Sequence, residues 1–164
     1  MSADACSHFF IYGTLQPAQC RWYLLEQANA CVLGPASTAG WLLDLGEYPG
    51  LVSAEWFEMS LHPRPNFPDT VWGQLVHVPD PEAACLALDS EEACLQADLG
   101  FDSTGQPLRS RIEFGIGLYV RRLQRIILAN GTTMWAWTYL YNQAVKSPKW
   151  IATGNWLQSQ GEGT

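Results

Sequence analysis

His8-Phe9-Phe10-Ile11-Tyr12-Gly13-Thr14-Leu15-Gln16-Pro17 is the stretch from which the rest of the chain is read. Four large residues, Phe9 to Tyr12, follow one another without a polar break. So short an apolar run reads as a strand buried on both faces. Gly13 stops it, and Pro17 excludes a continuing strand. Having no Cβ, Gly13 takes unusual φ/ψ values and lets a ligand approach the backbone. The N–H groups of Gly13, Thr14 and Leu15 form a small anion-binding nest if they converge. A strand ending in an ordinary glycine turn explains the same residues, and physics alone favours that plainer reading.

The rest of the composition narrows the class. The chain has 164 residues, 48% of them apolar and only 15% charged, which indicates one globular domain able to build its own core. Eight Trp and ten Pro fit a loop-rich, β-rich domain better than a helix bundle. A net charge of −7 argues against a nucleic-acid surface, which needs a basic stripe. Cys6, Cys20, Cys31, Cys85 and Cys94 are odd in number and lack CxxC spacing, so reduced thiols in a cytoplasm are expected. His8, His62 and His77 show no metal-ligand spacing, and no metal or cofactor is expected. Neither a signal peptide nor a transmembrane helix is expected.

Along the chain, residues 18–31 place Cys20, Tyr23, Leu24, Ala28 and Cys31 on one helical face, with both cysteines as small core residues and Gly34-Pro35 after the helix end. Trp41 to Leu43 and Leu51-Val52 are two strands about a Pro49-Gly50 turn. Residues 60–70 carry three prolines and read as an exposed connector, with His62 in water. Val71 to Val78 is a strand in which Gly73 marks close approach of another backbone or a bulge, and His77 is structural. Asp80-Pro81-Glu82 starts a helix. Residues 97–117, rich in glycine, read as a long loop and a candidate mobile cover. Asn130-Gly131 between two β-rich runs predicts a hairpin with a type I′ turn. Thr133, Trp135, Trp137, Tyr139 and Tyr141 then share one face, a stripe more often core than ligand platform.

Tyr12-Gly13-Thr14-Leu15 resembles the Tyr-Gly-Ser/Thr-Leu signature of the γ-glutamylcyclotransferase-like proteins, the AIG2-like group among them. Further resemblances follow in the family's order. Tyr48-Pro49-Gly50-Leu51 is similar to its Pro-Gly-Leu element, and Val71, Gly73 and Leu75 to its Val-x-Gly-x-Leu strand. Leu88, Asp89 and Glu92 are similar to its Leu-Asp-x-x-Glu-Gly element, with Ala93 in place of the glycine. Tyr119 and Arg121 resemble its Tyr-x-Arg strand, and Ala136 to Tyr139 its closing strand. Asp89-x-x-Glu92 is also the spacing of a capping box, with Asp89 as the cap of a second helix.

The resemblance implies one α/β (α+β) domain, taken over residues 1–164 with its core at about 8–157, and the polar C-terminal end reads as a disordered tail at 158–164. In that fold a mixed sheet curls into a small barrel with helices around it. The implied reaction cyclises a γ-glutamyl amine or amino acid to 5-oxoproline and releases the amine. Glu92 is then the general acid/base, and Tyr12, Gly13, Thr14, Leu15, Tyr119 and Arg121 contact substrate. The nucleophile is the substrate's own α-amine, so proximity supplies much of the acceleration. Partial burial would raise the pKa of Glu92 and suit it to proton transfer. The implied partner is a small γ-glutamyl molecule, not nucleic acid or membrane, and the expected assembly is a monomer or weak dimer. A catalytically silent small-molecule- or partner-binding protein on the same fold is the alternative.

Overall fold

A computed structural model describes residues 6–162. Strand β1 (His8–Ile11) alternates its side chains between two cores, as its unbroken apolar run requires. Phe9 and Ile11 pack with Leu25, Ala84 and Leu88 beneath two helices. Phe10 and Tyr12 pack with Leu42, Leu51, Leu75 and Leu140 on the opposite face. The helices are α1 (Trp22–Gln27) and α3 (Pro81–Glu91).

The strand order makes a closed ring. β1 pairs antiparallel with β5 (Thr70–His77), β5 with β2 (Cys31–Ala39), β2 with β7 (Tyr119–Leu128), and β7 with β8 (Thr133–Tyr141). β8 then returns to β1 in parallel, closing a five-stranded barrel. β4 (Pro49–Val52) continues along the β8 edge where β1 has stopped, and carries β3 (Trp41–Asp44). β6 (Cys94–Ala97) adds to β7. The fold is the expected mixed sheet curled into a barrel. Among the described residues no helix is long and apolar enough to cross a membrane.

Several local expectations are corrected. Gly34-Pro35 does not end a helix; it lies inside β2. The strand tolerates them because β7 pairs only with Ala36 to Thr38, leaving Pro35 one unpaired edge, and because a bulge falls between Val32 and Gly34. Helix α1 is correspondingly short, and Cys20 and Cys31 are exposed rather than core. His62 does not sit in water. It stacks on Trp56 of helix α2 (Ala54–Ser60) with ring centroids 5.6 Å apart, and its Nε2 lies 2.6 Å from the Val145 carbonyl. The hairpin turn has positive φ at Gly131 alone, and Gly131 N–H donates to the Leu128 carbonyl. That is a type I turn followed by a left-handed glycine, not type I′. The segment expected to be disordered from residue 158 is helical as part of α4 (Trp156–Glu162), while residues 163 and 164 lie outside the described residues.

The 97–117 segment is fastened rather than loose. The buried Asp98 carboxylate pairs with Arg109 and accepts the N–H groups of Ser110 and Leu123. Asn142 Nδ2 donates to the carbonyls of Glu113 and Ile116, and Gln143 Nε2 to those of Gly115 and Gly117. None of residues 97–117 lines the hollow around Glu92 described below.

Candidate active site

The site begins at a split in the sheet. Along one edge of β8, β1 pairs at Trp137 and β4 pairs at Leu140, so the backbone of Tyr139 falls between them. The Tyr12 hydroxyl fills that gap. It donates to the Tyr139 carbonyl at 2.6 Å and accepts from Leu51 N–H at 3.2 Å. The ring of Tyr12 thus replaces a ladder bond that neither strand can supply. Burial pushes its phenol titration far up, so it stays a donor.

With Tyr12 held, the chain turns sharply. Gln16 N–H donates to the Gly13 carbonyl at 3.1 Å. A Cβ on Gly13 would come within 2.7 Å of Pro49 Cγ, so glycine is needed for the approach of β4, which borders the hollow. No acceptor among the described residues takes the N–H of Gly13, Thr14 or Leu15.

Helix α3 delivers the carboxylate. Asp80 caps it through Ala83 N–H with Pro81 in the first turn, as the sequence predicts. The helix runs unbroken through Asp89, so Asp89 is not a cap, and Glu92 stands at the C-terminal end instead. Ala93 takes the left-handed conformation that ends the helix, at φ 49°. Leu118 N–H donates to the Ala93 carbonyl at 2.9 Å, fixing this turn against the start of β7.

Glu92 is 4% exposed. Burial raises its pKa to about 7, with the guanidinium of Arg21 opposing the rise and Glu91 adding to it. Arg21 Nη2 lies 3.0 Å from Glu92 Oε1. Its Nε donates to Thr14 Oγ1 at 2.7 Å, and its backbone N–H to the Thr14 carbonyl at 2.9 Å. Arg21 is not among the site residues that the sequence singles out. The available signal was a cation seven residues beyond the Gly-Thr turn in a chain with only nine Lys and Arg.

Phe10, Tyr12, Gly13, Thr14, Leu15, Arg21, Pro49, Glu92, Tyr119 and Tyr139 are among the residues enclosing an inner hollow of about 20 Å³. A vestibule of about 300 Å³ adjoins it, sharing Thr14, Arg21, Glu92 and Tyr119 as lining residues and adding Glu47, Tyr48, Glu91 and Leu118 among others. Tyr119 donates its hydroxyl to the Pro49 carbonyl at 2.8 Å and contributes its ring to the wall.

Of the predicted residues, Tyr12, Gly13, Thr14, Leu15, Glu92 and Tyr119 come together. Arg121 does not. Its guanidinium makes a paired contact with Asp89, at 2.8 and 3.0 Å, and lies 4.2 Å above the Trp137 ring. The side chain lines a separate cavity of about 520 Å³ between α3 and Asp98 to Phe101. Tyr119 and Arg121 alternate along one strand, but Tyr119 lines the hollow with Glu92, whereas Arg121 is held by Asp89 of α3.

The sequence profile of the family "Gamma-glutamyl cyclotransferase, AIG2-like" matches residues 9–158. The chain belongs to this family. Members of the fold are recognisable at low identity. A similar structure is YkqA from Bacillus subtilis, 19% identical at a TM-score of 0.60, covering 97% of this chain. The chain spans 42% of the length of YkqA. An AIG2-like protein from Mus musculus is 16% identical at a TM-score of 0.60, covering 90% of this chain and 87% of its own. Kluyveromyces lactis allophanate hydrolase is 14% identical at a TM-score of 0.52, covering 99% of this chain but 22% of its own. At these identities the likeness is one of fold. No curated protein sequence matches the chain.

Proposed function

We propose that the protein is a γ-glutamylcyclotransferase-type enzyme that converts a γ-glutamyl amine or amino acid to 5-oxoproline, with Glu92 as general acid/base. The observation that carries this reading is the burial of one carboxylate, Glu92, in a hollow also lined by Gly13, Thr14 and Leu15, whose N–H groups find no acceptor among the described residues. Family membership supports the reaction class.

The chemistry follows from these groups. The glutamyl chain folds so that its α-nitrogen meets its own γ-carbonyl, turning an intermolecular attack into ring closure. Glu92, with its pKa raised to about 7, takes a proton from the α-ammonium as the C–N bond forms. The carbonyl oxygen becomes an oxyanion, for which the N–H groups of Gly13, Thr14 and Leu15 are suitable donors. Glu92 then returns its proton to the departing nitrogen and the original γ-amide bond breaks; the ring nitrogen's remaining extra proton passes to the released amine, which leaves as its ammonium beside 5-oxoproline. Glu92 ends as it began.

Release of 5-oxoproline from γ-glutamyl dipeptides, glutathione, γ-glutamyl polyamines and γ-glutamyl-lysine tests the reading. Turnover of at least one substrate supports it. No 5-oxoproline from any of them would leave a ligand-binding protein on this fold.

A further inference from the structure

Among the described residues Arg21 is the sole Lys or Arg lining the inner hollow or the vestibule. The other charged groups there, Glu47, Glu91 and Glu92, are all acidic. Its guanidinium plane is anchored by Nε on Thr14 and by Nη2 on Glu92, whereas Nη1 reaches only Glu91, at 3.9 Å. A guanidinium carries five donors in a rigid fork, enough to face two carboxylates at once. On the reaction proposed above, the substrate brings an α-carboxylate into this acidic surrounding.

Resting on that reading, we infer that Arg21 is the positioning residue through which substrate binding activates Glu92. It pairs with Glu92 until a substrate arrives, and the incoming α-carboxylate then takes over its guanidinium. No covalent bond changes in this exchange. Glu92, nearly inaccessible to water, loses part of its counter-charge and gains proton affinity as the α-ammonium comes within reach. The N–H groups of Gly13 to Leu15 are thereby left for the oxyanion.

The other groups facing Glu92 do not substitute for this pairing. Glu91, its neighbour in α3, has the wrong sign. Tyr12 from the end of β1, Tyr119 of β7 and Tyr139 of β8 are all held neutral by burial.

The test reads the Glu92 carboxyl directly, by ¹³C NMR of the glutamate-labelled full chain with Glu92→Gln to assign the signal. The probes are 5-oxoproline and pyrrolidin-2-one, the same ring without the carboxylate. In the unsubstituted protein 5-oxoproline should move the Glu92 titration midpoint upward, and pyrrolidin-2-one should not. In Arg21→Gln the midpoint should start about one pH unit or more higher. That variant should also bind 5-oxoproline at least about tenfold more weakly while binding pyrrolidin-2-one unchanged. Arg21→Lys keeps the charge without the fork and should fall between the two, which preserves the test if the glutamine variant unfolds. A Glu92 midpoint indifferent to 5-oxoproline, or undiminished 5-oxoproline binding by Arg21→Gln, overturns the inference. These shifts do not depend on turnover, so finding them in a protein that releases no 5-oxoproline would overturn the proposed reaction while leaving the exchange of Arg21 between Glu92 and a ligand carboxylate standing.

Discussion

The hydroxyl of Tyr12 reaches the backbone carbonyl of Tyr139, 127 residues away in sequence, and closes the split where β8 passes from β1 to β4. The same oxygen accepts Leu51 N–H from the other side of the split. The tyrosine of the Tyr-Gly-Thr-Leu motif is therefore a seam in the barrel wall, while Gly13, Thr14 and Leu15, which follow it, line the hollow, and their N–H groups find no acceptor among the described residues.

Tyr12→Phe keeps the ring and removes the seam. It leaves a buried carbonyl and a buried N–H without partners, a loss of about 1–3 kcal/mol. Calorimetry should show Tm lowered by several degrees. An unchanged Tm would mean that the seam carries no stability.

Asp89 is bound to Arg121 and also accepts the Tyr139 hydroxyl at 2.6 Å. A helix cap removed by Asp89→Ala would cost about 1 kcal/mol. Removing the partner of a largely buried guanidinium costs more, about 3 kcal/mol. Urea unfolding of Asp89→Ala separates the two, and a loss near the smaller figure would restore the capping interpretation.

Ala93 occupies a left-handed backbone position where its Cβ crowds the carbonyl that follows. Ala93→Gly relieves this and should stabilise the protein by about 0.5–1 kcal/mol, net of the greater freedom of glycine in the unfolded chain. A lower urea midpoint for this variant would contradict the account of how α3 ends.

Glu92 titrates near 7 in the fold and at 4.5 when unperturbed, so the fold binds its proton more tightly than the unfolded chain does. Its favourable contribution is complete below pH 4.5 and is lost as pH rises through about 7. Glu92→Gln has no such dependence. Its stability relative to the unsubstituted protein should climb across this window by on the order of 3 kcal/mol. A difference flat in pH would mean that Glu92 is not buried as described.

Single strands and the helix start were legible because their signals are local, whereas the barrel was implied by the family resemblance alone. The apolar run of β1, the Asn-Gly turn region and the Asp80-Pro81 helix start each report on neighbouring residues. β2 was hidden because Gly34-Pro35 is read as a break, and only its one-sided pairing and bulge permit it. Residues 97–117 show no periodicity, and the side chains that fasten them, Asn142 and Gln143 among others, lie far along the chain. In the site, Gly13 to Leu15, Glu92 and Tyr119 followed from motif order. Arg121 was misplaced and Arg21 overlooked for one reason. Which cation reaches a carboxylate depends on how α1 and α3 sit on the barrel, and no short spacing records that.

In the proposed reaction it is Glu92 that moves the proton. Glu92→Gln preserves its shape and one acceptor oxygen but cannot accept the ammonium proton. The direct measurement is the steady-state rate of 5-oxoproline release by this variant beside the unsubstituted protein, on the substrate turned over fastest. The account predicts kcat at least about a hundredfold lower in a variant that still melts cooperatively. Equal kcat in the two proteins would contradict it.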